Sequence, residues 1–155
     1  MEVSDGSVKA AYERLHPRLW HALYAYSGDA ELAADAEAEA FTQAIRRGSG
    51  IRDLDAWVWR TAFRVAGGML AERRRVSLVA EPVEQPQEDA TPALDLLAEL
   101  ADLSDQQRAV VVLRYVGGFA PIEIADLLHT TPGSVRVQLH RAHARLRVTM
   151  EDRDG

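Results

Sequence analysis

The densest chemistry in the chain lies between Ala120 and Arg147, APIEIADLLHTTPGSVRVQLHRAHARLR. From Gly133 to Met150 this stretch carries four arginines, two histidines and no acid. An arginine guanidinium can fork onto guanine O6 and N7, and a small apolar side chain can meet a thymine methyl. Placed at the start of a helix, Arg136, Val137, His140 and Arg141 have the types needed to read base edges. Thr131, Ser134, Gln138, Arg145 and Arg147 suit phosphate contacts or packing edges. The alternative is an ordinary amphipathic helix with a basic face.

A second basic stretch, residues 46–75, has eight bases and three acids. Trp57, Trp59 and Phe63 are aromatics that can stack on unpaired bases or fill a core. Arg60 and Arg64 share a helix and can meet phosphates. Arg73, Arg74 and Arg75 can do the same or simply complement a helix C-terminus. Glu31, Asp35 and Glu39 form an i, i+4, i+8 carboxylate row suited to a basic partner or to solvent. Metal chemistry has little support: Glu13 and His16 make a lone E-x-x-H, and His140 with His143 lacks a third ligand. No phosphate loop, dinucleotide fingerprint or nucleophile elbow is present, so neither enzymatic activity nor a cofactor is expected.

The charge is unevenly spread around these residues. The whole chain of 155 residues has a formal net charge of −6. Residues 76–107 contain eight acids and no base, and they separate the basic stretch at 46–75 from the one that follows. Two basic patches on an acidic chain point to two contacts with a polyanion. With no cysteine, disulfides and thiolate zinc sites are excluded. No apolar run is long enough for a membrane span. The N-terminus shows no signal pattern, so a cytoplasmic protein is expected.

Helices must position these groups, because 3.6-residue periodicity dominates and strand alternation is missing. The pattern predicts helices over about 7–26, 29–47 and 53–75. Pro17 is a potential kink or break in the first. Leu32, Ala36, Ala40, Phe41 and Ile45 are the inward positions of the second. The third has two apolar stripes, Leu54, Val58, Ala62, Val65, Met69 and Trp59, Phe63, Ala66, Leu70, which implies burial on more than one side. Residues 76–93, with three prolines and four acids, read as a linker that could reach roughly 60 Å if extended. Further helices are predicted at about 93–102, from Ser104 to 116, at 120–128, and from Pro132 to 150. Ser104 and Thr131 are N-caps, and Pro132 sits at the first helical position. The last two helices, joined by His129-Thr130-Thr131, have helix-turn-helix spacing, with Val135, Leu139, Ala142 and Leu146 facing inward. The expected fold is all-α: two small helical domains, 1–75 and 94–150, on an acidic linker.

From Leu103 to Arg147 the chain resembles region 4 of extracytoplasmic-function (ECF) sigma factors. The matching residues are Leu103-Ser104, Gln107-Arg108, Arg114-Tyr115, Gly118, Glu123-Ile124-Ala125, Gly133-Ser134-Val135-Arg136, Leu139, Arg141-Ala142 and Leu146-Arg147. The first half resembles region 2 of the same family at Asp35, Phe41, Ala56-Trp57-Val58, Arg60 and Arg73-Arg74-Arg75. It departs from the family pattern at Ala38 (usually glutamine), at Arg64 (usually asparagine) and in the short loop 46–53. In region 4, Gln138 replaces a common arginine.

The resemblance implies a protein that binds core RNA polymerase and directs it to promoters, without catalysis of its own. Region 2 would dock on polymerase through Asp35, Glu39 and Phe41. It would help open the −10 element through Trp59, Arg60, Arg64, Arg73 and Arg74. Region 4 would read the −35 element as duplex through Thr131, Ser134, Arg136, Val137, Gln138, His140, Arg141 and Arg145. The expected partners are core polymerase, promoter DNA and, as a candidate, an anti-sigma factor; the free protein is expected to be a monomer. Two other readings stay open at this point. One is a stand-alone helix-turn-helix regulator, which would normally dimerise. The other is a sigma-like interaction protein that does not support transcription.

Overall fold

The computed structural model describes residues 5–77 and 92–154. Among these residues there are seven helices and no strand. They are α1 (Asp5–Ser27), α2 (Ala30–Arg47), α3 (Leu54–Ser77), α4 (Pro92–Ala101), α5 (Asp105–Tyr115), α6 (Pro121–Leu127) and α7 (Pro132–Asp154). The acidic linker residues Glu81, Glu84, Glu88 and Asp89 lie outside the described residues.

In the first group, α1, α2 and α3 pack on one another. Pro17 does not break α1, which runs through it. The proline and the exposed turn around it face solvent, so water can satisfy the carbonyl that loses its partner. The opposite side of α1 buries Leu19, Ala22 and Leu23 completely. Full burial of a leucine contributes about 1.5–3 kcal/mol, enough to hold the helix across the missing bond. Asp29 caps α2 by accepting the Leu32 N–H at 3.0 Å. Its carboxyl is also paired with Arg73 at 2.8 Å, which ties the start of α2 to the end of α3. The Leu32 hydrogen bond, and then Arg73, lower the Asp29 pKa against a burial effect that raises it. Ile45, expected inward, is instead half exposed, because Ala44 and Phe41 fill that side of α2.

In the second group, α5 and α6 both pack on α7. Ser104 caps α5 in a reciprocal box with Gln107: Ser104 Oγ accepts the Gln107 N–H and Gln107 Oε1 accepts the Ser104 N–H. The α5–α6 turn needs its glycines. A Cβ on Gly117 would lie 2.7 Å from both the Leu113 carbonyl and the Phe119 ring, and Gly118 has φ +76°. This turn fixes Phe119, whose ring meets Trp59 of α3 edge-on at 5.0 Å. The two groups therefore touch. α1 contacts α4 and α5, and α3 contacts α6. The wide apolar face of α3 is explained by these neighbours on several sides.

Candidate nucleic-acid interface

The α6–α7 pair has the shape of a helix-turn-helix. Ala125 is 3% exposed and Val135 1%, so small residues let the helices approach closely. Ala142 is fully buried further along α7, with Leu139 and Leu146 half-buried on the same stripe. The turn closes with the Thr130 N–H on the Ala125 carbonyl at 2.9 Å, and His129 takes φ +54°. Thr131 then starts α7: its Oγ1 accepts the Ser134 N–H at 3.1 Å. With Val135 and Ala142 inward, Arg136, Val137, His140, Arg141 and Arg145 all face solvent. Thr131 is exposed beside them, and Ser134 and Gln138 lie at the half-buried edge. Val137 is 46% exposed, a large apolar side chain held in water among bases, which suits contact with a thymine methyl.

A second basic surface lies on the first group. Arg46, Arg47, Arg60, Arg64 and the half-buried Trp57 line one groove, together with His129 from the α6–α7 turn. Arg64 donates to the Gln43 side chain at 3.3 Å and is exposed. Arg60 pairs with Asp126 of α6 at 2.9 Å. Arg73 is held by Asp29, and Arg74 by Asp105 of α5.

Comparison with known proteins bears on both surfaces. Residues 93–146 match the family model for sigma-70, region 4. Over 94% of its length the chain is 30% identical to the ECF RNA polymerase sigma factor SigL of Mycobacterium tuberculosis, covering 89% of that protein. The chain belongs to the ECF sigma factors. It is also 37% identical over 119 residues to the ECF sigma factor ShbA of Streptomyces griseus, 73% of this chain and 58% of that one. The fold is shared with two solved structures, each 19% identical with a TM-score of 0.75. One is the sigma factor RpoE of Bartonella quintana in complex with the anti-sigma factor NepR, where the match covers 92% of this chain and 96% of that one. The other is CnrH in complex with the cytosolic domain of CnrY, with 96% and 90% covered. Sigma factors are not an enzyme family, and no helix among the described residues is long and apolar enough to cross a membrane.

Within this ECF sigma factor, two expected contact residues occupy other positions. Trp59 is 3% exposed, wedged between Phe63 of its own helix and Phe119 of the other group. It offers no free face to a base in this form; Trp57 is the aromatic that borders the groove. Phe41 is 6% exposed and packs inward, edge-on to Tyr12 at 5.2 Å. It can shape the α2 surface but cannot touch a partner across it. Asp35 is exposed, and Glu39 is half-buried, accepting from Gln43 at 3.0 Å. Sequence reasoning also missed Arg108. It is 8% exposed, and its Nε donates to the Tyr26 carbonyl at 2.5 Å, across the two groups. The available signal was a guanidinium directly before the apolar run Ala109–Leu113 of α5.

Proposed function

We propose that this ECF sigma factor binds core RNA polymerase in the cytoplasm and selects promoters by two contacts, with no catalysis of its own. Residues 1–75 form the polymerase- and −10-directed half, 76–93 the linker, and 94–150 the −35-directed half. The reading is carried by one observation: from Pro132 to Arg147 the solvent face of α7 presents Arg136, Val137, His140 and Arg141 without an acid, on a capped helix-turn-helix. Arg136 and Arg141 read bases, while Thr131, Ser134, Gln138 and Arg145 set the register on phosphates. Asp35 and Glu39 supply the acidic face of α2 for polymerase, and Arg60, Arg64, Arg73 and Arg74 hold the −10 strand. One of the similar solved structures contains a sigma factor with an anti-sigma factor, so a protein of that kind is a candidate partner here too.

The test is a duplex selected by the holoenzyme from a random promoter pool. Arg136→Ala and Arg141→Ala should each cost about 1–3 kcal/mol at the selected −35 sequence and much less on unrelated duplex. Equal weakening on every sequence would overturn the base-reading assignment.

A further inference from the structure

The basic groove along α2 and α3 is more selective in its chemistry than its charge alone suggests. Its volume is about 590 Å³, within the range of sites that hold one small ligand. Trp57 lines it, half-buried; this side chain packs on the core and meets no other aromatic ring among the described residues. Arg46 and Arg47 are exposed in the last turn of α2, and neither is paired with an acid among the described residues. Arg64, from α3, is oriented by a chain of hydrogen bonds. Its Nη2 donates to Gln43 Oε1 at 3.3 Å, and Gln43 Nε2 donates to Glu39 Oε1 at 3.0 Å. The reverse amide orientation would set the Gln43 amine against a guanidinium and its oxygen against a carboxylate. The two partners therefore fix Gln43, and Gln43 holds Arg64.

A guanidinium has donors and no acceptor, and Gln43 takes one of those donors. The others need a base edge with two acceptors side by side. Guanine presents O6 and N7, whereas adenine sets its N6 amine, a donor, beside N7. In thymine the N3–H donor separates the two carbonyls. Unpaired cytosine does offer N3 beside O2, but its single ring covers less of Trp57 than a purine would. Base–aromatic stacking therefore adds to the preference for guanine.

We propose that this groove takes one unstacked guanine of a single DNA strand, with its ring on Trp57, its O6 and N7 on Arg64, and the flanking phosphates on Arg46 and Arg47. The proposal rests on the −10 reading above and adds a base identity to it. Gln43 is the positioning residue: it acts on the base only through Arg64. All five side chains belong to α2 and α3. Arg64 is also one of the positions where the chain departs from the family pattern, so the preference belongs to this chain.

The test is fluorescence anisotropy of the full chain at low salt with labelled pentathymidine, and with pentamers whose central base is guanine, adenine or cytosine. The guanine pentamer should bind roughly tenfold more tightly than the other three. Replacing its guanine with 7-deazaguanine, which lacks the N7 acceptor, should remove most of that gain. Arg64→Ala, at an exposed position, should level the four affinities. Gln43→Leu should narrow the preference while leaving pentathymidine binding unchanged, a result that a general loss of structure would not give. Arg47→Ala should weaken all four strands alike. Guanosine 5′-diphosphate, which lacks neighbouring nucleotides, should compete roughly tenfold less well than the guanine pentamer. Equal competition would make a free nucleotide the ligand and overturn the strand. If Arg64→Ala weakens every pentamer equally and none is preferred, the guanine site falls while the −10 reading stands. If neither Arg64→Ala nor Arg47→Ala changes any affinity, or no pentamer binds, both fall.

Discussion

Replacing Arg108 with methionine isolates the most buried link between the two halves. The guanidinium satisfies two carbonyls, Tyr26 at 2.5 Å and Leu103 at 3.1 Å, and pairs with Asp105 at 3.0 Å. Hydrogen bonds to a charged group contribute about 1.5–3 kcal/mol each, and Arg108→Met strips the two carbonyls of theirs. The loss is partly offset. Burial opposes the charge, lowering the Arg108 pKa against an opposing effect of Tyr26, and methionine removes that desolvation while keeping much of the volume. The net cost should be about 2–4 kcal/mol. Urea unfolding provides the assay, followed by far-ultraviolet circular dichroism and by tryptophan fluorescence. All three tryptophans, Trp20, Trp57 and Trp59, lie in the first group, so fluorescence reports that group while dichroism reports both. The unsubstituted protein should give coincident curves. The variant should lose stability, and its two curves should separate as the halves uncouple. A loss under about 1 kcal/mol with coincident curves would refute the role given to Arg108.

Two further substitutions test local parts of the account. Glu37 is 4% exposed on α2; its Oε1 meets His16 Nδ1 at 2.5 Å and its Oε2 is buried without a partner. Burial raises its pKa above the ordinary carboxyl value, with His16 opposing. The stability it contributes is fully present below the unfolded carboxyl pKa and is lost as pH rises through the folded one. Glu37→Gln should therefore flatten the fall in urea midpoint as pH rises above the ordinary carboxyl range of about 4, and parallel slopes would contradict it. Thr131→Ala should cost about 0.5–2 kcal/mol through the lost Ser134 cap, whereas Thr131→Ser should be nearly neutral in thermal melts. Equal melting temperatures for the two variants would remove the cap from the account.

Much of the fold was legible because its determinants are local. Helix periodicity, the caps at Ser104 and Thr131, and the glycines after α2 and α5 give helix limits close to those observed. The exposed basic face of α7 was legible for the same reason, since Arg136, His140 and Arg141 lie on the side opposite Val135 and Ala142. Contacts between distant segments were not. Trp59 read as a strand-facing aromatic because nothing in its own helix reveals that Phe119 covers it. Ile45 fitted the inward spacing, yet Phe41 and Ala44 complete that face without it. The ion pairs Arg60–Asp126 and Arg74–Asp105 join residues far apart in sequence, and a chain divided by an acidic linker suggested independent halves.

The central claim is that this chain gives core RNA polymerase its promoter preference. The most direct measurement mixes the purified protein with core polymerase on a sizing column and assays the complex by run-off transcription from a promoter pool. Stoichiometric co-elution, with specific transcripts that Arg136→Ala and Arg141→Ala weaken, is the expected result. A folded protein that elutes apart from core, where a known sigma factor co-elutes, would contradict the account.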